Sequence, residues 1–527
     1  MTPSTRLPVL AAAIAAIAAS AAALAEAPRP ARSQDLVPGR VIESVPCAAS
    51  PGFSYALYLP AAFEVSRPWP VLVLFDPGGR GPLAVEAFRE AAEAHNWILA
   101  ASNDSRNGPL RESVLAAQAM WRDLRARLPV DERRVYASGF SGGARVASVF
   151  PRVAGLAPAG VIGCGAGLAA GIEPGALGAA AYFGLAGLRD FNYPEMTALD
   201  RAMDPAGLPH RFLYFDGIHA WPDGGACARA VGWMEIMAMK RGLRPVDVGM
   251  ATAFLRRELE EADAFEADGR IYWAAERLAA AARLAEGLGL ENALPALAGL
   301  AGRVAALEGR KEYARFVEAE RKRDRRAAEF RQAFGDAFGA VEDAATGGPA
   351  AVPAVLRATG IAFLRKEAAG KGTVEERAAA SRGLFDFAFA ARARAAELVG
   401  KGDLGRAGAY LDLALAACEE DLPMAPALHY DRACVAARAG DRELALRHLG
   451  LAVDRGFTNL GLLETDRDLD AVRDSAAFRG ILERVRARRA AEKSWPHGIF
   501  RPAPEYTRLK SAGPASGRAA AARRGRA

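Results

Sequence analysis

Between about Val41 and Leu243 the chain alternates two hydrophobic patterns. Short, nearly continuous apolar runs (SYALYLP, PVLVLFD, WILAAS, RRVYASG, AGVIGCG, AAYFGLAG and HRFLYFDG) are separated by stretches such as LAVEAFREAAEAH and SVLAAQAMWRDLRARL, where apolar residues recur every three or four positions. Apolar runs of strand length between amphipathic helices predict a mainly parallel sheet covered by helices on both faces. The expected fold class is α/β, over residues 36–243.

After about Pro245 the period changes to that of helices almost throughout, as in ATAFLRRELEEADAF, GRIYWAAERLAAAARLAEGL and KEYARFVEAERKRDRRAAEFRQAF. Alanine, leucine, glutamate and arginine favour helix, and an apolar stripe on each segment requires burial against a neighbour. A second, all-α domain is expected over 249–490, interrupted at Gly347, Gly348 and Pro349. Two later segments, KGDLGRAGAYLDLALAACEEDL and AGDRELALRHLGLAVDRGF, begin their Gly-Asp pairs at Gly402 and Gly440. The stretch LHYDRACVAARAGDRELALRHLGLAVDRGF, with small Ala433, Ala437 and Ala445 about its turn, resembles a tetratricopeptide repeat. The following ETDRDLDAVRDSAAFRGILERV is similar to the segment that commonly closes such repeats. The resemblance, over 402–455, implies stacked helix pairs and a surface for a protein partner or for self-association.

At 527 residues the chain is long enough for two or three domains with sizeable cores, so its five cysteines are not needed as a disulfide framework. Residues 1–25 place Arg6 before an Ala/Ile/Leu run ending in Ala23-Leu24-Ala25, the pattern of a cleaved secretory signal peptide. A periplasmic or secreted protein is expected, with no transmembrane segment after its removal. The net charge of +6 is largely local, since Lys510, Arg518, Arg523, Arg524 and Arg526 lie in a tail, 491–527, expected to be disordered. With no interleaving of basic and aromatic residues on a strand pattern, nucleic-acid binding is not expected.

The chemistry centres on VYASGFSGGAR, where Gly139-Phe140-Ser141-Gly142-Gly143 follows an apolar strand and precedes a helix. A G-x-S-x-G pentad in that setting predicts a sharp turn that projects the Ser141 hydroxyl as a nucleophile. Of six histidines, His219 in YFDGIHAWPDGG follows the last predicted strand, at the edge where open α/β sheets bind ligands, and is the candidate base. Asp190, just after the AAYFGLAG strand, is the candidate acid. Glu195 is the alternative, and Asp216 lies too close to His219. Attack on a carbonyl needs donors aimed at the developing oxyanion. The N–H of Gly142 is one candidate, and the loop after VLVLFD offers Gly78, Gly79 or Arg80 but not Pro77, which has no N–H.

Asn103, Asp104 and Arg106 in ASNDSRNGPLRES either line the pocket entrance or cap the next helix, and Trp221 either walls the pocket or packs in the core. Asp216 and Asp223 flank His219 and read as loop-capping rather than cation-binding residues, and no metal site is expected. Cys47, Cys164 and Cys227 leave one disulfide open, while Cys418 and Cys434 read as packing residues.

In order, DPGGRG, GFSGG, GLRD and GIHAWP resemble the α/β-hydrolase superfamily, in its secreted carboxylesterase, feruloyl-esterase and polyhydroxybutyrate-depolymerase-like branch. DPGG stands where related esterases often carry His-Gly, and GLRD is a reduced form of the usual acid loop. The resemblance implies a serine esterase working through an acyl-serine on a small or polymeric ester, without a cofactor. The competing expectations are an interaction scaffold built on a decayed hydrolase domain and a serine peptidase.

Overall fold

The computed structural model describes residues 36–343, 352–418 and 424–494. The signal segment 1–25, the glycine-proline interruption at 347–349 and the basic tail from 495 onward lie outside the described residues. Residues 491–494, expected to begin the disordered tail, continue the last helix.

Eight strands form one sheet: β1 (Val41–Pro46), β2 (Ser54–Tyr58), β3 (Trp69–Phe75), β4 (Ile98–Ser102), β5 (Val130–Phe140), β6 (Gly160–Cys164), β7 (Ala181–Gly187) and β8 (His210–Phe215). Their order is β1-β2-β4-β3-β5-β6-β7-β8. The β1–β2 and β2–β4 pairs are antiparallel and all others parallel, an α/β-hydrolase-like sheet. β1 was not among the predicted strands. It is a short edge strand with a register shift between Ile42 and Val45, so its alternation is too brief to stand out.

The period of two divides each strand between two cores. Val71, Val73, Phe75, Val135, Ala137 and Val161 point to one face and pack on α2 (Leu110–Arg127) and α3 (Gly142–Ala154) through Met120, Trp121, Val146 and Phe150. Leu72, Leu74, Tyr136, Ile162 and Phe183 point to the other and pack on α1 (Gly81–His95) and α5 (Gly224–Lys240). In α1 the buried Ala84, Val85, Phe88, Ala91 and Ala92 form one helical stripe, which is why this segment is a helix covering a sheet. A further helix, α4 (Tyr193–Met203), connects β7 to β8.

Compact packing divides the chain after Arg321, whereas the sequence period changes near Pro245. Three helices beyond that change, α6 (Val248–Ala267), α7 (Ile271–Ala285) and α8 (Leu300–Glu308), share the second sheet-face core through Leu255, Leu259, Leu278, Leu300 and Leu307. An ionic cluster ties them to the sheet. Buried Glu258 of α6 pairs with Arg211 of β8, with Arg229 of α5 at 3.5 Å and with Arg277 of α7 at 3.3 Å. Burial alone would raise the Glu258 pKa, but the three guanidinium groups outweigh it and hold the carboxyl below its usual value. Burial likewise brings Arg277 down to about 10. The boundary between the units falls within α9 (Lys311–Asp343).

The second unit is an all-α bundle. After α10 (Val352–Ala358) and α11 (Ile361–Ala368), the long α12 (Val374–Gly400) starts with reciprocal capping between Thr373 and Glu376. It packs on α13 (Leu404–Ala417), and α14 (Ala425–Arg438) packs on α15 (Arg442–Asp454). The repeated Gly-Asp pairs are repeated turns: Gly402 and Gly440 take φ of 77° and 85°, and Asp403 and Asp441 cap the next helices by accepting from the N–H groups of Arg406 and Leu444 at 3.0 Å each. Ala433, Ala437 and Ala445 are buried, letting α14 and α15 approach. Beyond them lie α16 (Leu460–Thr465), α17 (Asp470–Arg473) and α18 (Ala476–Ser494), where Asp466 accepts from the Tyr430 hydroxyl at 2.8 Å.

Two buried histidines meet across α14 and α15, with His429 Nδ1 3.0 Å from His448 Nδ1. Burial, then the neighbouring His448 and Arg455, bring His429 down to about 4; burial, then Arg432 and Arg447, bring His448 to about 4. All five cysteines are buried, and none of the disulfides open to Cys47, Cys164 and Cys227 forms. Among the described residues no helix is long and apolar enough to cross a membrane.

Two stability effects follow. Glu258→Gln leaves three clustered arginines without their common anion and should lower the unfolding free energy of the first unit by about 3–5 kcal/mol, read by urea denaturation. The histidine pair is neutral when folded, while unfolded histidine titrates near pH 6.5. The unfolded chain therefore binds more protons between pH 6.5 and 4, and the stability of the helical bundle should fall as the pH drops through that window. Urea midpoints at pH 7.5, 6 and 5 should show the decline, and a His429→Gln/His448→Gln double variant should flatten it.

Candidate active site

Parallel pairing sets the strand ends flush, with Phe75 opposite Gly139, Phe140 opposite Cys164 and Gly187 opposite Phe215. The residues that follow β3, β5, β7 and β8 therefore collect along one carboxyl edge. β4 lies to one side of β3 and β5 to the other, so the winding direction switches between the Asp76 loop and Ser141, the place where open α/β sheets bind ligands.

Ser141 has φ 53° and ψ −121°, a backbone conformation that among the described non-glycine residues shares its positive φ with Asn96 alone. The turn is possible because the backbone is very tight around it. A Cβ on Gly139 would lie 2.2 Å from the Gly143 carbonyl oxygen, and one on Gly143 would lie 1.9 Å from that of Phe75. The Ser141 N–H donates to Cys164 O at 2.8 Å, fixing the elbow to β6. Gly142 opens α3, so its N–H belongs to the first turn and has no acceptor within the helix.

Ser141, His219 and Asp190 come together in series. His219 Nε2 lies 2.9 Å from Ser141 Oγ, and His219 Nδ1 lies 2.8 Å from Asp190 Oδ1. The Asp190 side chain is 1% exposed and that of His219 16%. Asp190 also accepts from the Asn192 N–H at 2.8 Å, which sets the carboxylate's direction. The imidazole is held between Phe140 and Phe191, with ring centroids 4.6 and 4.1 Å away. The loops carrying Asp190 and His219 are bound together by the Leu188 N–H to Phe215 O and the Arg189 N–H to Gly217 O, at 2.7 and 2.9 Å.

Glu195, the alternative acid, is engaged elsewhere. It takes both arms of Arg145 at 2.8 Å and the Gly167 N–H at 2.9 Å, clamping α3 to α4. Burial acts to raise its pKa, but Arg145 and the Gly167 N–H hold it below its usual value. Asp223 caps α5 through the Ala226 N–H, as expected, whereas Asp216 pairs with Arg189 at 3.4 Å.

The expected oxyanion donors of the β3–α1 loop are turned inward. Gly78 N–H donates to Asp76 Oδ1 at 2.8 Å, Gly79 N–H to Asp76 O at 3.1 Å, and Arg80 N–H to Asp76 Oδ1 at 3.3 Å. Asp76, fully buried, also accepts from Arg80 Nε at 2.8 Å and from Trp221 Nε1 at 2.8 Å. Trp221 is thus a strut between two loops. Its ring packs against Phe88 and Phe140, and its indole N–H joins the histidine loop to the β3 loop. Asn103 is also a brace, donating to Glu43 O and Ser54 Oγ, while Asp104 accepts from the Ser54 N–H at 2.7 Å. Arg106 remains exposed, and its backbone pairs with Gly78.

Sequence reasoning missed Asp76 and Asn107. Asp76 shows a signal in retrospect, being a charged residue at the end of a strand whose other residues are all apolar. Asn107 shows none, because its place depends on the tertiary approach of its loop: its N–H donates to Pro77 O at 2.6 Å, and its side chain lies against Gly142.

No family model matches the chain, and no curated protein matches it. Among solved structures it is similar to the apo form of Thermogutta terrifontis esterase 2, at 17% identity and a TM-score of 0.31, over 41% of this chain and 100% of that one. It is also similar to an S-formylglutathione hydrolase from Staphylococcus aureus, at 15% identity and a TM-score of 0.30, over 38% of this chain and 99% of that one. The fluorophosphonate-binding serine hydrolase F of the same bacterium matches at 14% identity and a TM-score of 0.31, over 37% and 98%.

Asp76→Asn keeps the shape of the side chain but presents an amide where the indole and guanidinium donate. It should lower stability by about 1–3 kcal/mol for the buried donor left unmatched, measured by denaturation followed through tryptophan fluorescence.

Proposed function

We propose that the chain is a serine hydrolase that cleaves carboxylic esters through an acyl-serine intermediate. The observation that carries this reading is the continuous hydrogen-bonded series Ser141–His219–Asp190, with Ser141 raised on a left-handed turn at the carboxyl edge of the sheet. The hydroxyl alone is a weak nucleophile, and a base already at hydrogen-bond distance removes its proton as attack proceeds.

In this mechanism Ser141 Oγ bonds to the ester carbonyl carbon as its proton passes to His219 Nε2. Asp190 accepts from Nδ1–H, fixing the tautomer that leaves Nε2 free as the base and stabilising the imidazolium that forms. The carbonyl pair moves onto oxygen, beside the Gly142 N–H. Collapse breaks the bond to the alcohol oxygen, which takes the proton back from His219. Water, deprotonated by the same imidazole, then releases the acid and restores Ser141.

The intact series favours an enzyme over a scaffold on a decayed hydrolase domain. The substrate proposed is a small or polymeric ester. The helical bundle, tetratricopeptide-like in its repeated Gly-Asp turns, is proposed as an interaction module, and the hydrophobic start of the sequence supports export to the periplasm or beyond.

Exposure to a fluorophosphonate followed by peptide mass spectrometry should give a single adduct on Ser141, absent from Ser141→Ala. With p-nitrophenyl acetate, Asp190→Asn should lower kcat by about 10⁴-fold and His219→Ala by about 10⁶-fold. A folded wild-type protein that takes no adduct and turns over no ester would remove this reading.

A further inference from the structure

An oxyanion needs at least two fixed donors, and the β3–α1 loop, where the second was expected, turns the N–H groups of Gly78, Gly79 and Arg80 toward Asp76. The fold delivers another polar group to the same place. The loop between β4 and α2 is pinned at its start by Ser102 Oγ, which accepts the Asp104 and Ser105 N–H groups at 3.2 and 3.0 Å, and farther on by Ser113 Oγ, which joins the Arg106 N–H and C=O at 3.2 and 3.0 Å. Between these anchors the loop runs antiparallel to Gly78, and the Asn107 N–H donates to Pro77 O at 2.6 Å.

This crossing sets the Asn107 carboxamide directly beside Gly142, the residue after the nucleophile. A Cβ on Gly142 would fall 1.8 Å from Asn107 Oδ1, 3.0 Å from its Cγ and 3.7 Å from its Nδ2. Gly142 is therefore glycine for a reason distinct from the turn at Ser141: any side chain would displace the amide. Rotation about the last side-chain torsion exchanges the two ends of the amide, so its N–H₂ can occupy the position next to Gly142 that Oδ1 now holds. Asn107 itself is exposed, as a group that meets an incoming substrate must be.

We propose that the Asn107 side-chain amide is the second oxyanion donor, acting with the Gly142 N–H. This rests on the ester-hydrolase reading above. As Ser141 Oγ bonds to the carbonyl carbon and its proton moves to His219, the π pair goes to the carbonyl oxygen, which then accepts from Gly142 N–H and Asn107 Nδ2–H. When the carbonyl re-forms, both bonds weaken and the alcohol leaves with the proton from His219. The amide thus contributes chiefly in the transition state, which separates it from a residue that only binds substrate.

The test is steady-state hydrolysis of p-nitrophenyl acetate by the full-length protein, alongside fluorophosphonate labelling and thermal unfolding. Asn107→Ala is expected to lower kcat by about 10²–10³-fold with KM changed less than about threefold. Asn107→Asp, of the same shape but a charged acceptor at neutral pH, is expected to lose more than Asn107→Ala and to recover part of its kcat deficit relative to wild type as the pH is lowered and its carboxyl gains a proton. Wild-type turnover with kcat of both variants within about threefold, or a loss that appears as raised KM or lowered unfolding temperature alone, would make Asn107 a loop strut and overturn this inference while leaving the ester-hydrolase reading intact. A wild type that is neither labelled nor active overturns both.

Discussion

A close backbone approach in the sheet unit, the start of α3 against the end of β3, governs what the carboxyl edge can do. Gly143 passes so near the Phe75 carbonyl that no side chain fits between them, and this contact brings the turn at Ser141 beside the loop that follows β3. A positive φ at a serine is costly on its own, of the order of 1–3 kcal/mol, and persists because the strand before it, the helix after it and the Ser141 N–H to Cys164 O bond all over-determine it. The hydroxyl then needs no conformational change to face His219.

Asp76 organises a second layer around this elbow. Its one carboxylate turns the Gly78 and Arg80 N–H groups inward, holds the Arg80 guanidinium and reaches Trp221 two residues beyond His219. The loop after β3 and the loop after β8 are thereby parts of one polar network. A fully buried carboxylate is tolerated because both of its oxygens are met by donors, four of the five from its own loop. The same network moves the question of oxyanion stabilisation away from the glycine backbone and toward the neighbouring loop of Asn107.

How much of this was legible depended on whether the information was local. The seven predicted strands, the switch to helical period and the Gly-Asp turns at 402 and 440 are written in short patterns, and all of these appear in the structure. Ser141, Asp190 and His219 could be picked out because the chain order and strand ends restrict where such groups fall. Three things were not local. The helices from 248 to 308 look like the rest of the helical half, yet Glu258 and the Leu255–Leu259 stripe fasten them to the sheet. Trp221 and Asn103, which the sequence leaves open between pocket and structural roles, owe their bracing contacts to partners far away in sequence. Asn107 is invisible without the loop crossing at Pro77.

The sulfur atoms carry one further consequence. Burial pushes the thiols of Cys47 and Cys164 up to about 12, and that of Cys227 well above its ordinary value, so the reactive thiolate is scarce at neutral pH. No covalent cross-link has to form or survive for the sheet unit or the bundle to hold together. The packing of each unit is therefore complete with its thiols reduced, and the native fold itself asks for no oxidant.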